Sequence, residues 1–149
     1  FAQPTYYARN VAGSASIGDG GSVGSITGNV SNAGTLIFNR SDNQTFNGQI
    51  DGTGGLIKRG AGVLTLNNNS STFSGPVVIE AGVLAVSSLA PVDFSSALGD
   101  GTSGTGAIVI GNGTTTATLR YTGSGGAETD RPIEMAGTPR LANGKWSER

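Results

Sequence analysis

The chain has no cysteine and no histidine among its 149 residues. No disulfide framework, zinc finger or thiol redox centre is open to it. Freedom from disulfides also suits a protein that crosses a membrane unfolded. Charge is scarce, with 13% of residues charged and a net charge of -1, so nucleic acid and acidic membrane surfaces are poor partners. Long apolar runs are missing too: clusters such as Val77-Val78-Ile79 are far too short to span a membrane. The first residue is Phe1, the only methionine is Met135, and no basic start leads into an apolar run. The chain therefore reads as a processed fragment whose targeting signals have been removed. Helical periodicity is almost missing, because glycine or proline interrupts every candidate window.

What is present is glycine, at 26 positions, and a period of two. Leu36 and Phe38 share one side of a short run; so do Leu64 and Leu66, Val77 and Ile79, and Leu84 and Val86. Ile108 and Ile110 flank Val109, and Leu119 and Tyr121 flank Arg120. Each run is bounded by Gly, Asn, Ser or Thr, which marks short strands between turns. The tetrapeptide Ala-Gly-x-Leu opens three of them, at Ala33, Ala61 and Ala81.

Spacing turns strands into architecture. Leu36 and Leu56 stand 20 residues apart, as do Leu64 and Leu84, and Thr45–Ile50 matches Thr72–Val77 at a longer offset. A coil of about 20 residues with two or three short strands is the rung of a β-helix, with Leu, Val, Ile and Phe stacked inward. The 36% hydrophobic content suffices for such a narrow core. About seven rungs would make a rod roughly 35 Å long. Asn67-Asn68-Asn69 is expected at a corner in left-handed backbone. The expected divisions are an irregular segment or capping rung over 1–24, rungs over 25–87, further rungs over 88–137 with a loop excursion near 88–106, and a frayed end over 138–149. Trp146 is placed there as a cover for an open end.

Candidate chemistry is weak throughout. Gly20-Gly21-Ser22-Val23-Gly24 fits Gly-x-Ser-x-Gly, but neither an imidazole base nor a helix accompanies it. Gly99–Gly104 fits Gly-x-Gly-x-x-Gly, yet a strand-like run follows where a phosphate-binding helix is needed. Asp42 with Asp51, and Asp93 with Asp100, are the acid pairs that a polysaccharide-cleaving β-helix would use; solvated loop acids are the simpler reading. No Gly-Gly-x-Gly-x-Asp calcium repeat is present. Lys58-Arg59 reads as a corner, Thr114-Thr115-Thr116 lacks matching threonines on earlier rungs, and Tyr6, Tyr7 and Trp146 read as capping or contact aromatics. No catalytic residue, cofactor site or metal site is expected, and no ligand-binding residue is assigned.

One long stretch resembles a known family. Gly52-Thr53-Gly54-Gly55-Leu56-Ile57-Lys58-Arg59-Gly60-Ala61-Gly62-Val63-Leu64-Thr65-Leu66 is similar to the passenger-associated transport repeat of bacterial autotransporters. Thr72-Phe73-Ser74-Gly75 and Ile79–Val86 continue the pattern, and Gly28–Ser41 resembles the segment that precedes it. The likeness covers residues 25–87 well and 106–137 more loosely. It implies an all-β fold, a right-handed parallel β-helix (solenoid) in a secreted passenger, carried through the outer membrane by a C-terminal translocator barrel. It implies a bacterial cell-surface location and no catalytic residues in the repeat. The expected role is a surface scaffold or adhesin in host-cell or cell–cell attachment, with virulence as the context. Two alternatives stand beside it: an enzyme acting on polysaccharide, and a self-associating protein of aggregates or biofilm. The expected partners are a host surface or matrix component, or another copy of the chain.

Overall fold

The computed structural model describes residues 5–6, 10–102 and 106–136. Among them every regular element is a strand, and every strand pairing is parallel. The chain visits three faces in turn. Val30–Asn32 lies on a three-stranded face, Thr35–Asn39 on a six-stranded face and Gln44–Phe46 on a four-stranded face; Ile50–Asp51 then returns to the first. Each turn hydrogen-bonds to the one below, which is a β-solenoid.

The six-stranded face carries Ser14–Ile17, Thr35–Asn39, Gly55–Arg59, Val77–Ile79, Ile108–Ile110 and Ile133–Met135. That makes six turns, one fewer than the spacing suggests. The reason is turn length. Leu36 pairs with Leu56 and Leu56 with Val77, but Val77 pairs with Ile108, a turn half as long again. Ser14–Ile17 contributes the first described strand of this face, pairing in register with Thr35–Phe38.

Alternation builds the core. Leu36, Leu56, Val77 and Ile108 form one inward column with no exposed surface; Leu64 and Leu84 stack beside each other on the four-stranded face. The Phe38 and Phe46 rings meet across the corner between two faces, with centroids 5.7 Å apart. Burying each such side chain stabilises by about 1.5–3 kcal/mol. The glycines of the three Ala-Gly-x-Leu units have a shared task. A Cβ on Gly34, Gly62 or Gly82 would run into backbone carbonyls of the turn below, those of Gly13, Asp42, and Gly60 with Gly62 respectively. Only a residue without a side chain lets successive turns close to sheet spacing there.

The register also places the second repeat. Phe46 pairs with Leu66 and not with Phe73, so the longer repeat offset is not a turn length. Phe73 instead lies where the three-stranded face continues as irregular backbone, with Thr72 N–H donating to Ile50 O and Ser74 N–H to Gly52 O, both at 2.9 Å. An inward Phe followed by a glycine corner serves either face. The Asn67–Asn69 corner is also made differently. None of its residues has positive φ; Asp93, at 74°, is the one non-glycine that does among the described residues. Side chains brace the corner instead. Asn68 Nδ2 donates to Asn47 O at 3.1 Å, Asn68 Oδ1 accepts from Ser70 N at 2.9 Å, and Asn69 Oδ1 accepts from Ser87 Oγ at 2.6 Å.

The described residues of the segment 88–106 form no strand, yet they are tied down. Ala97 and Leu98 are buried in the core, Ser96 N–H donates to Ser71 O, and Asp100 N–H donates to Phe73 O. It continues the third face as backbone pairing without regular strand.

Candidate functional site

The six-stranded face is the longest sheet among the described residues, and its outward side is a candidate surface. Register places Ser16, Ile37, Ile57, Val78, Val109 and Glu134 in one column across it. The four central residues are apolar, β-branched and half-buried. On one flank Thr35 pairs with Gly55, and Pro76 stands in the next turn, its carbonyl accepting from Leu56 N at 2.9 Å. Because Gly34, Gly54 and Gly55 have no side chains, a hollow of about 300 Å³ opens there, walled by Ile57, Pro76 and Val78. On the other flank the Arg59 Nε donates to Glu80 Oε2 at 2.6 Å, an ion pair joining two turns. A second hollow, of about 400 Å³, lies at the following corner over Gly82, between Ala61, Ala81 and Thr115, Thr116 and Thr118.

Behind this face sits a cation where an apolar residue is due. Lys58 pairs with Phe38 and Ile79 on the inward side and is 2% exposed. Its Nζ donates to the carbonyls of Arg59 and Gly60 at 2.7 Å and of Ala81 at 3.2 Å, so it laces two corners together. Burial lowers its pKa from 10.5 to about 8. Between those values the unfolded chain holds a proton that the folded chain has released, so this group makes stability rise with pH through that window and leaves it flat below. Urea melts from pH 7 to 10 should therefore show wild type gaining on Lys58→Met as pH rises. An opposite slope would mean that the three carbonyls favour the ammonium more than burial disfavours it.

The other residues marked in the sequence are dispersed. Ser22 is exposed on the loop after Ser14–Ile17, and its carbonyl accepts from Arg40 Nη2 at 2.6 Å. Asp42 precedes the four-stranded face and Asp51 ends a strand of the three-stranded face, so the fold does not converge them on one face. Asp42 is instead held at 2.7–2.8 Å by Arg40, whose guanidinium keeps that carboxyl below its ordinary range. Asp93 and Asp100 do meet through backbone, Asp93 N–H donating to Asp100 O at 3.0 Å. The side chain of Asp100 turns to Thr102, and its charge offsets the burial that lowers the pKa of Arg131. Thr114 and Thr115 bond to Asn112 at the corner, and Thr115 Oγ1 also donates to Glu80 O. Among the described residues no group of three or more acids could hold a metal ion. Tyr7 and Trp146 lie outside the described residues, as do Ser103 and Gly104 of the second glycine motif.

Arg131 is the residue that sequence reasoning missed. It is 4% exposed; its Nε donates to Gly106 O at 2.6 Å and its Nη1 to Leu98 O. With Asp130 accepting from Val92 N at 2.7 Å, it pins the excursion to the last described turn. The only available signal was an arginine before a proline, among the acids Glu128, Asp130 and Glu134.

Faces built from stacked turn-strand units, with glycine corners and a buried corner lysine, define a parallel β-solenoid. Residues 56–86 match the family model described as the passenger-associated-transport-repeat. The chain is also 35% identical over 123 residues to the adhesin BmaC autotransporter of Brucella suis biovar 1 (strain 1330), an alignment covering 80% of this chain and 3% of that relative. No solved structure matches it. The chain is an autotransporter passenger segment, and its place is outside the cell, reached by export through the outer membrane. It spans about 3% of the length of the curated relative.

Proposed function

We propose that this segment is part of an adhesive surface scaffold, with the outward side of the six-stranded face as its contact surface in host-cell or cell–cell attachment. The observation that carries this reading is the column Ile37, Ile57, Val78 and Val109, four apolar side chains aligned on the outer side of one face. An apolar stripe rimmed by polar residues is what protein contact surfaces expose. The relative named as an adhesin supports the same reading. The scattered carboxylates give no support to catalysis on polysaccharide, and the chain is read as non-enzymatic. In the full-length protein a translocator barrel is the expected export partner.

Beads coated with the chain should bind host cells, matrix proteins or bacteria displaying the passenger. The double variant Ile57→Lys/Val78→Lys, which alters only half-buried outward positions, should bind at least roughly tenfold less at unchanged far-UV circular dichroism. Equal binding by the variant would remove this face from the account, and no binding by either protein would leave a scaffold without adhesion.

A further inference from the structure

We infer that the six-stranded face docks on a second copy of itself, about a two-fold axis that runs along the strands midway between Gly55–Arg59 and Val77–Ile79. This rests on the reading of that face as a contact surface and names its partner. The argument is self-complementarity. Such an axis keeps position along the strand and reverses the order of turns. Residues that neighbour each other across the two central strands then face one another between copies. Ile57 meets Val78 of the second copy, and Ile37 meets Val109. Pro76, exposed beside the hollow over Gly55, faces that hollow in the other molecule. Arg59 and Glu80, bonded within one chain, each face the opposite charge of the partner. Knob, hollow, apolar column and charges all match under one operator.

The size of the contact sets its strength. Six strands at about 4.8 Å spacing and about five residues of width give roughly 400 Å² per copy. That is half of what a stable complex buries on each side, so the pairing is weak, with a dissociation constant of roughly 0.1–1 mM. Many copies on one surface would multiply it.

Analytical ultracentrifugation of the chain at roughly 0.05–1 mM spans the transition. Wild type should form dimers, and Ile57→Lys should weaken them roughly tenfold or more. Arg59→Glu and Glu80→Arg place like charges across the interface, so each alone should stay monomeric. Mixed together they should pair, because both acids of the first variant then face arginines of the second. Both variants lose the internal ion pair, which at 43% and 26% side-chain exposure contributes little to folding; circular dichroism checks this. A wild type that stays monomeric overturns the inference. So does a mixture no better than its parts, or association lost in Ile133→Lys/Met135→Lys and kept in Ile57→Lys, which would mean end-to-end stacking at the exposed last described strand. Adhesion to cells or matrix by a monomeric chain would sink this inference and leave the proposed function standing; dimers that bind nothing else would do the reverse for host attachment.

Discussion

Gly82→Ala is expected to lower stability by on the order of 3–5 kcal/mol. Two independent penalties meet at this position. Its φ is 70°, a region that costs an L-residue about 1–2 kcal/mol. The new Cβ would also sit 2.5 Å from the carbonyl oxygens of Gly60 and Gly62 and 2.9 Å from the Lys58 Nζ. Two of those atoms are backbone of the adjacent turn, so relief requires the turns to separate, and the Lys58 bond to Ala81 stretches with them. The melting temperature should fall by roughly 10 °C. A solenoid is stabilised mainly by nearest-neighbour contacts, so damage should stay local. Hydrogen exchange should rise first in Val63–Leu66 and Gly82–Val86 and later in Val30–Asn32. A shift below about 1 kcal/mol would show that the corner yields easily, against the close-approach account.

Phe73→Ala should cost about 3–5 kcal/mol, the range for emptying a fully buried aromatic site. Phe73 has no exposed surface and lies where regular strands give way to the excursion. Its carbonyl accepts from Asp100 N, and the Gly99 backbone packs so close to its ring that a Cβ there would come within 2.9 Å of Cγ and Cδ1. The cavity would open beside Ala97 and Leu98, which themselves plug the core from the excursion. Loss of the ring should therefore loosen residues 88–102 as well as lower the urea midpoint. Proteolysis within the excursion at native temperature is the sensitive readout. An intact excursion in a strongly destabilised variant would mean that Arg131 and Asp130 hold it without help from the core.

Legibility differed from residue to residue. Leu36, Leu64 and Leu84 announced themselves, because alternation is a local property and turn-forming residues bracket each run. The 20-residue turn was readable wherever successive turns are equal. It failed after Val77, where the excursion lengthens the path without changing the inward side chains. Lys58 could be placed at a corner but not inside the fold. Its burial depends on the carbonyls of Arg59 and Gly60, which close the same corner, and on Ala81 in the next turn. Arg131 was invisible for a similar reason, since its acceptors Leu98 and Gly106 are distant in sequence.

The amino-acid sequence by itself determined that this chain coils, which side chains face inward, and that glycine must occupy the corners, since each follows from a period of two and from local turn chemistry. Only the tertiary structure decided which turn lies on which. Register between turns is set by backbone pairing across 20 or more residues, and it is this register that aligns Ile37, Ile57, Val78 and Val109 and sets Arg59 beside Glu80.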